Sequence, residues 1–148
     1  TGVTTGPTAS TFSPAQTCTR GQIITFLWRA SGSPEPKGSG SYTDVKAGDY
    51  YAKATQWAAE NNIADGTAFS PGGPCTRAMA VEFMWRQAGS PQAAACSFTD
   101  VSPEASYYQA VNWAVSRGVT AGTSKTAFSP DATCTRGQIV TFLYKGLA

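Results

Sequence analysis

The sequence predicts an all-α fold, a mainly helical repeat protein built from one helix–loop–helix unit. The pattern Phe-Ser-Pro-x-x-x-Cys-Thr-Arg occurs three times, opening at Phe12, Phe69 and Phe128. Each copy leads into an apolar run of the same shape, and amphipathic segments precede two of the copies. A chain that uses one unit three times is interpreted as a repeat protein before any other fold is considered.

The first helix of the unit is predicted over residues 50–61 and again over 106–117. Both segments follow a Thr-Asp-Val sequence, and both end where Asn or Gly suits a left-handed C-terminal residue. Apolar residues spaced three, four and seven apart define one helical stripe. The stripe consists of Tyr51, Ala54, Trp57 and Ala58, which recur as Tyr107, Ala110, Trp113 and Ala114.

The second helix of the unit begins after the Cys-Thr-Arg sequence. Its predicted N-caps are Thr19, Thr76 and Thr135. Gln22 and Gln138 complete a capping box in two copies, whereas the middle copy has Met79 at that position and its box is broken. Gly-Ser-Pro then ends the helix at 32–34 and 89–91. We expect the apolar residues of this helix, beginning with Ile23, Ile24, Phe26 and Leu27, to form the core.

The first repeat is incomplete, because residues 1–6 match residues 117–122, the end of a first helix. Five main helices are therefore expected where three full repeats would give six. We predict one module over 1–148, with repeats at 1–34 (partial), 42–91 and 98–148. The chain opens on Thr1 and not on Met, which we interpret as a processed product or a piece of a larger protein.

Composition excludes several functional classes. Charged residues make up 14% of the chain, against roughly 25% on average, and small polar residues take their place, as in secreted and wall-associated proteins. A net charge of +2 with scattered basic residues is unsuited to nucleic-acid binding. Apolar stretches fall short of the ~20 residues that cross a bilayer, so no membrane insertion is expected.

Four cysteines leave two interpretations open. Cys18, Cys75 and Cys134 occupy one repeat position, and Cys96 stands apart in a linker. Either the thiols are buried and unpaired, acting as small hydrophobes, or one bridge forms, with Cys75–Cys96 as the candidate. Because histidine is absent and the cysteines are widely spaced, no metal site is predicted.

The order of these motifs resembles the surface-layer homology (SLH) domain. The resemblance covers Phe/Tyr-Thr-Asp-Val, an aromatic–alanine helix, a Gly-bearing loop, Phe-x-Pro and Thr-Arg before the last helix, over nearly the whole chain. It implies three repeats around a pseudo-threefold central three-helix bundle. It also implies a non-catalytic, extracellular module that anchors a bacterial surface protein to secondary cell-wall polysaccharide, often bearing pyruvate ketals.

The resemblance also implies which residues bind the sugar. The signature arginines are Arg20, Arg77 and Arg136, which would line grooves between repeats. The glycines that would bring backbone close to the glycan are Gly66, Gly122 and, in the partial repeat, Gly6. The sequence departs from the signature because Gln22, Met79 and Gln138 replace its glutamate. The usual tryptophan at the start of the first helix is also absent, and Tyr51 and Tyr107 lie near its place.

The arginines have two competing interpretations. A guanidinium beside free N–H groups at a helix start suits a carboxylate ligand. The alternative is a salt bridge to a neighbouring repeat, with Asp44 or Asp100 as partner. We expect those two aspartates to anchor turns by accepting backbone N–H bonds.

The repeated aromatic residues have a binding interpretation and a packing interpretation. Those at the end of the second helix could stack on a sugar face or close the bundle, and we favour the structural role. They are Trp28, Trp85 and Tyr144. Trp57 and Trp113 lie in the middle of the stripe of the first helix, and we expect them to be core residues.

An enzyme is disfavoured. With no histidine, a Ser-His or Cys-His pair cannot form. The chain has nine acidic residues, and those at repeated positions look like turn residues and not like a facing catalytic pair. No cofactor is predicted. Two other functions remain as alternatives to wall binding. One is a structural module that binds other chains, in which a second copy or an upstream segment completes repeat one. The other is a host-facing fragment released from a larger surface protein.

Overall fold

The computed structural model describes residues 16–95 and 98–146, which form five α-helices and no sheet. The helices are α1 (Arg20–Ala30), α2 (Ala52–Glu60), α3 (Arg77–Gln87), α4 (Tyr108–Ser116) and α5 (Arg136–Gly146). The all-α repeat fold is confirmed. Because α1, α3 and α5 are the second helices of the three repeats, we call them the central helices; α2 and α4 are the outer helices.

The three central helices pack against one another in pairs and form a three-helix bundle. Their predicted apolar residues are buried in one continuous core. Those that are almost completely inaccessible include Ile23, Ile24, Leu27, Val81, Met84, Ile139 and Leu143. The pseudo-threefold bundle that the resemblance implied is therefore present.

A ring of three backbone hydrogen bonds marks the pseudo-threefold axis. Cys18 N donates to Cys134 O (2.8 Å), Cys134 N to Cys75 O (2.9 Å), and Cys75 N back to Cys18 O (2.8 Å). Antiparallel bridges between neighbouring repeats flank the ring at Thr17–Thr135, Thr19–Pro74 and Thr76–Thr133. The cysteine position therefore holds the starts of all three central helices together.

The thiols of these three cysteines are free and buried. Burial raises the pKa of Cys18 to about 12 and that of Cys134 to about 11, and it also raises the pKa of Cys75. Unpaired thiols acting as small hydrophobes are thus confirmed. The alternative bridge from Cys75 is not formed; its proposed partner Cys96 lies outside the described residues.

Each outer helix packs on the central helix of the preceding repeat: α2 on α1, and α4 on α3. The predicted stripe faces inwards, since Ala54, Ala58, Ala110 and Ala114 are inaccessible and Trp57 and Trp113 are buried. A Cβ at Gly21 would lie 3.1 Å from Cδ2 of Tyr51, so the glycine lets that tyrosine approach α1 closely. The two tryptophans are core residues, as predicted.

The outer helices begin two residues later than predicted. Tyr51 and Tyr107 are N-cap residues without a side-chain cap. The preceding residues form a tight turn instead, in which Ala52 N donates to Asp49 O (3.0 Å). The apolar stripe alone does not reveal this turn, because Tyr51 has the spacing of a helical stripe in the sequence but lies outside the helix in the structure. At the other end Asn62 (φ 58°) and Gly118 (φ 73°) are left-handed, as predicted.

The caps of the central helices agree with the sequence. Thr19 and Gln22 form a full capping box, and so do Thr135 and Gln138. Thr76 caps only the N–H of Met79. At the far ends Gly32 and Gly89 each have φ 94°, and the following serine N–H reaches back to the tryptophan carbonyl, which makes a Schellman motif.

Candidate functional site

The first helical residue of each central helix reaches into the next repeat. The guanidinium carbon of Arg20 lies 4.8 Å from the ring centroid of Phe69 and 5.3 Å from that of Phe83. Arg20 Nε also donates to the carbonyl oxygen of Phe69 (2.8 Å). The arginine therefore lies against two aromatic rings of repeat two and is held in place by a hydrogen bond.

Arg77 repeats this arrangement towards repeat three. Its guanidinium carbon lies 4.7 Å from the centroid of Phe128 and 5.7 Å from that of Phe142, and Nε donates to Phe128 O (2.8 Å). Arg136 closes the cycle, 5.7 Å from the centroid of Phe26 in repeat one. The repeat equivalent of Phe69 there is Phe12, which lies outside the described residues. All three predicted arginines thus lie at junctions between repeats.

The alternative of an arginine–aspartate salt bridge is not what the structure shows. Among the ion pairs of residues 16–95 and 98–146, neither Arg20–Asp44 nor Arg77–Asp100 occurs. The Asp44 carboxylate instead accepts the N–H groups of Phe69 (2.8 Å) and Ser70 (2.7 Å). Asp100 does the same for Phe128 (2.9 Å) and Ser129 (2.8 Å).

The aspartates therefore anchor the Phe-Ser-Pro turns, as predicted. The N–H groups of Phe69 and Ser70 are the main cause that lowers the pKa of Asp44 below its usual value. At Asp100 the N–H of Phe128 is the largest cause of the same lowering. Each carboxylate fixes the aromatic residue on which the preceding repeat's arginine lies.

The expectation that helix-start N–H groups are free to bind a ligand is wrong. Arg20 N donates to Gly73 O (2.9 Å), and Gly21 N donates to Pro71 O (2.9 Å). In the next copy Arg77 N donates to Ala132 O (2.8 Å). The neighbouring repeat thus supplies the acceptors that a helix start otherwise lacks, because the Phe-Ser-Pro loop folds over it.

The two described junctions differ in how deeply the arginine is buried and in how many hydrogen bonds its guanidinium makes. Arg77 is only 7% exposed, and its Nη2 donates to Ala121 O (3.0 Å) and Thr120 Oγ1 (3.3 Å). Arg20 is half-buried, and its Nη1 meets only the weak acceptor Sδ of Met79 (3.4 Å). Within the described chain Arg20 Nη2 has no hydrogen-bond partner. The first junction is therefore the more open of the two.

A tyrosine also distinguishes the first junction. The Tyr42 ring meets Phe69 edge-on, with centroids 5.3 Å apart, on the ring over which Arg20 lies. Tyr42 is 4% exposed, and its hydroxyl has no hydrogen-bond partner among the described residues. Burial raises the pKa of this hydroxyl. Phe98 takes this position at the second junction, so a buried, unsatisfied donor exists only at the first of these two.

The predicted glycines lie in the loops that lead into the Phe-Ser-Pro segments. Gly66 is exposed and has φ 89°, which requires glycine. Gly122 follows Ala121, whose carbonyl accepts from Arg77. A Cβ at Gly122 would collide with Ala127 O, Phe98 Cε1 and Ser124 O. Gly122 therefore allows its own loop to close, and Gly6 lies outside the described residues.

The aromatic residues that end the central helices are structural in two repeats. The indole N–H of Trp28 donates to Pro34 O (2.8 Å), and that of Trp85 donates to Pro91 O (2.7 Å). Each tryptophan fixes the turn that stops its helix. Tyr144, the third member, is 72% exposed.

Sequence reasoning missed a cavity of about 360 Å³ between the linker at 36–42 and helix α2. Lys46 and Lys53 line it, and Lys53 is paired with Glu35 (2.7 Å). The equivalent residues of repeat three are Ser102 and Gln109. The two lysines that line the cavity are therefore particular to repeat two.

Comparison with known proteins agrees with this architecture. The S-layer homology domain family matches residues 41–80 and 97–140, more than half of the sequence. The chain belongs to the S-layer homology domain family. Domains of this family bind cell-wall polysaccharide, anchor surface proteins and are non-catalytic, which places such chains at the cell surface. In the part of the SLH chain that the structure describes, no helix is long and apolar enough to cross a membrane.

One relative is an amylopullulanase of Thermoanaerobacterium thermosulfurigenes, 27% identical over 94% of this chain. The chain spans only 8% of that protein. The similarity therefore concerns a small region of a much larger enzyme, and it provides no evidence of a catalytic role for this chain.

Proposed function

We propose that this SLH module binds an acidic secondary cell-wall polysaccharide and thereby anchors a larger bacterial surface protein. The observation that carries the proposal is the half-buried Arg20 guanidinium at the first junction, whose Nη2 has no hydrogen-bond partner in the described chain. A carboxylate, such as that of a pyruvate ketal, is the ligand group that a guanidinium binds through charge-assisted bonds.

The first groove, defined here by Arg20, Tyr42, Phe69, Met79 and Phe83, has the features of a prepared anion site. The two phenylalanine rings and the Phe69 carbonyl fix the plane of the guanidinium before any ligand arrives. Ordering a free arginine side chain on binding costs about 0.5–1.5 kcal/mol, and most of this cost is avoided here because the guanidinium is already held in place. The proposal assigns Arg20 to the acid group.

Arg77 has a different role in this proposal. Two oxygen acceptors from residues 120–121 already occupy its Nη2. We assign it to holding repeats two and three together, with Gly122 allowing the loop to supply those acceptors. Arg136, 4% exposed and stacked on Phe26, is assigned the same role between repeats three and one.

Affinity for the wall would rise through the polymer's own repetition. One groove that meets a single acidic sugar gives modest affinity, but a surface protein array faces many copies of the sugar along each strand. Gly66 lies at the tip of the loop leading to Phe69, and we assign to it the role of letting the polysaccharide approach the first groove without meeting a side chain.

Sedimentation with wall sacculi tests the proposal. The chain is mixed with native sacculi and with sacculi from which acid has stripped the secondary polysaccharide, and the pelleted fraction is measured. We expect pelleting with native sacculi only, and inhibition by the released polymer. Equal pelleting with stripped sacculi would refute polysaccharide recognition, because peptidoglycan alone would then suffice. Lys125→Ala, which changes a charge on an exposed loop, serves as the matched control and should pellet like the unaltered chain.

A further inference from the structure

In the described part of the chain, the third central helix lacks the outer helix that covers each of the other two. Outer helix α2 lies on α1, and α4 lies on α3, in each case on the preceding repeat's central helix. By the same rotation, α5 should carry the outer helix of repeat one. Within residues 16–95 and 98–146, α5 packs against α1 and α3, and no outer helix lies along its outward side.

Burial at equivalent positions shows which side of α5 is open. Ile24 of α1 and Val81 of α3 are inaccessible, whereas Val140 of α5 is only half-buried. Thr25 is buried, but its equivalent Thr141 is exposed. Tyr144, 72% exposed, continues the same side one turn later. We call Gly137, Val140, Thr141 and Tyr144 the open face.

The open face has nearly the chemistry of the α1 surface that binds α2. Gly21, Ile24, Thr25 and Trp28 of α1 correspond to its four residues, with glycine and threonine identical and the others replaced by similar apolar or aromatic residues. Glycine matters at the first position, since on α1 its missing Cβ admits the ring of Tyr51. The open face therefore fits an outer helix better than it fits solvent.

We propose that the open face of α5 is a docking site for one amphipathic helix carrying the aromatic–alanine stripe of α2 and α4. The stripe places a tyrosine against Gly137, and alanines followed by a tryptophan against Val140, Thr141 and Tyr144. In the repeat register this helix is the outer helix of repeat one, because residues 1–6 match 117–122, which follow α4. This inference does not depend on the polysaccharide proposal.

A graft tests the docking site. A copy of residues 98–116 is joined directly before Thr1, which puts a second α4 in register with repeat one. We expect the midpoint of thermal unfolding to rise by about 4 °C or more, as for a gain of 1–2 kcal/mol in a chain of this size. We also expect a stronger helical signal in circular dichroism and a smaller solvent exposure of the Tyr144 side chain. A graft that leaves the midpoint and Tyr144 exposure unchanged overturns the proposal.

Two variants make the result specific. Val140→Asp should cost less in the ungrafted chain, where the position is half-buried, than in the grafted chain, where the docked helix should bury the charge completely and cancel the gain. A graft carrying Trp113→Asp in its copy should likewise give no gain while leaving the authentic Trp113 intact. Equal effects of Val140→Asp in both chains contradict docking. So does a dimer of the ungrafted chain that Val140→Asp dissociates, because the occupant would then be a second copy.

Discussion

The guanidinium of Arg20 lies 4.8 Å from the centroid of the Phe69 ring, and Arg20 Nε donates to the carbonyl oxygen of that same residue. One residue at the start of a central helix thus contacts both the side chain and the backbone of a phenylalanine in the next repeat. The same relationship recurs between Arg77 and Phe128. The signature arginine therefore joins its repeat to the next one, together with the backbone ring of the cysteines.

Arg77→Lys should destabilise the fold by about 2–4 kcal/mol. The lysine loses the planar stacking on Phe128 and the fork that donates to Ala121 and Thr120, and it leaves a buried ammonium poorly paired. Urea unfolding followed by tryptophan fluorescence measures the change. Arg20→Lys is the matched comparison and should cost less, since Arg20 is more exposed and makes fewer bonds. Equal costs would contradict the difference between the two junctions.

The aspartates that anchor the turns should make the free energy of unfolding depend on pH in the acid range. Backbone N–H bonds lower the folded-state pKa of Asp44 and Asp100, so their contribution is fully present above the unfolded value of about 3.9 and is lost as pH falls through the folded values. Asp44→Asn with Asp100→Asn should therefore weaken the fold at pH 7 and flatten the loss below pH 4. Urea midpoints at pH 7, 4 and 2.5 measure this, with Asp131→Asn as the exposed control.

The ring cysteines should resist thiol reagents until the protein unfolds. Burial raises the pKa of Cys18 to about 12 and that of Cys134 to about 11, so almost no thiolate is present at pH 8. In a Cys96→Ser chain, Ellman's reagent should label nothing in native buffer and three thiols in denaturant. Rapid native labelling would show that the ring opens easily. Because these folded pKa values are raised, stability should also fall as pH rises above about 8.5.

Gly122→Ala should destabilise the second junction by about 1–3 kcal/mol, because the added methyl group overpacks the loop against Ala127 O, Phe98 and Ser124 O. Gly48→Ala is the matched control, since a Cβ there meets nothing within 4 Å and the backbone is not left-handed. Thermal unfolding of the two variants provides the measurement. A control as destabilised as Gly122→Ala would show that the cost is not due to overpacking.

Much of the fold could be predicted because local signals recur. The Thr19 cap, the Gly32 stop and the stripe through Trp57 are each set by nearby residues, and the repeats confirm one another. The ring of Cys18, Cys75 and Cys134 could not be predicted, because it depends on backbone groups from three distant segments.

The candidate site was only partly readable from the sequence. The arginines were located by their repeat position, but the expected free N–H groups at Arg20 and Gly21 are bonded to Gly73 and Pro71. That pairing arises from how the Phe-Ser-Pro loop folds back, which no residue type reveals. The difference between Tyr42 and Phe98 was visible in the sequence, but only burial of the hydroxyl gives it meaning.

We propose that Arg20 in the first groove binds the acid group of the wall polysaccharide. Isothermal titration of polysaccharide released from sacculi, into chains whose folding is checked by circular dichroism, tests this contact. Arg20→Lys should weaken affinity about tenfold, as expected for loss of a bidentate charge-assisted contact. Tyr42→Phe, which removes a buried hydroxyl, and Arg77→Lys should both bind as the unaltered chain does. Unchanged affinity in Arg20→Lys, with loss in Arg77→Lys, would contradict the account.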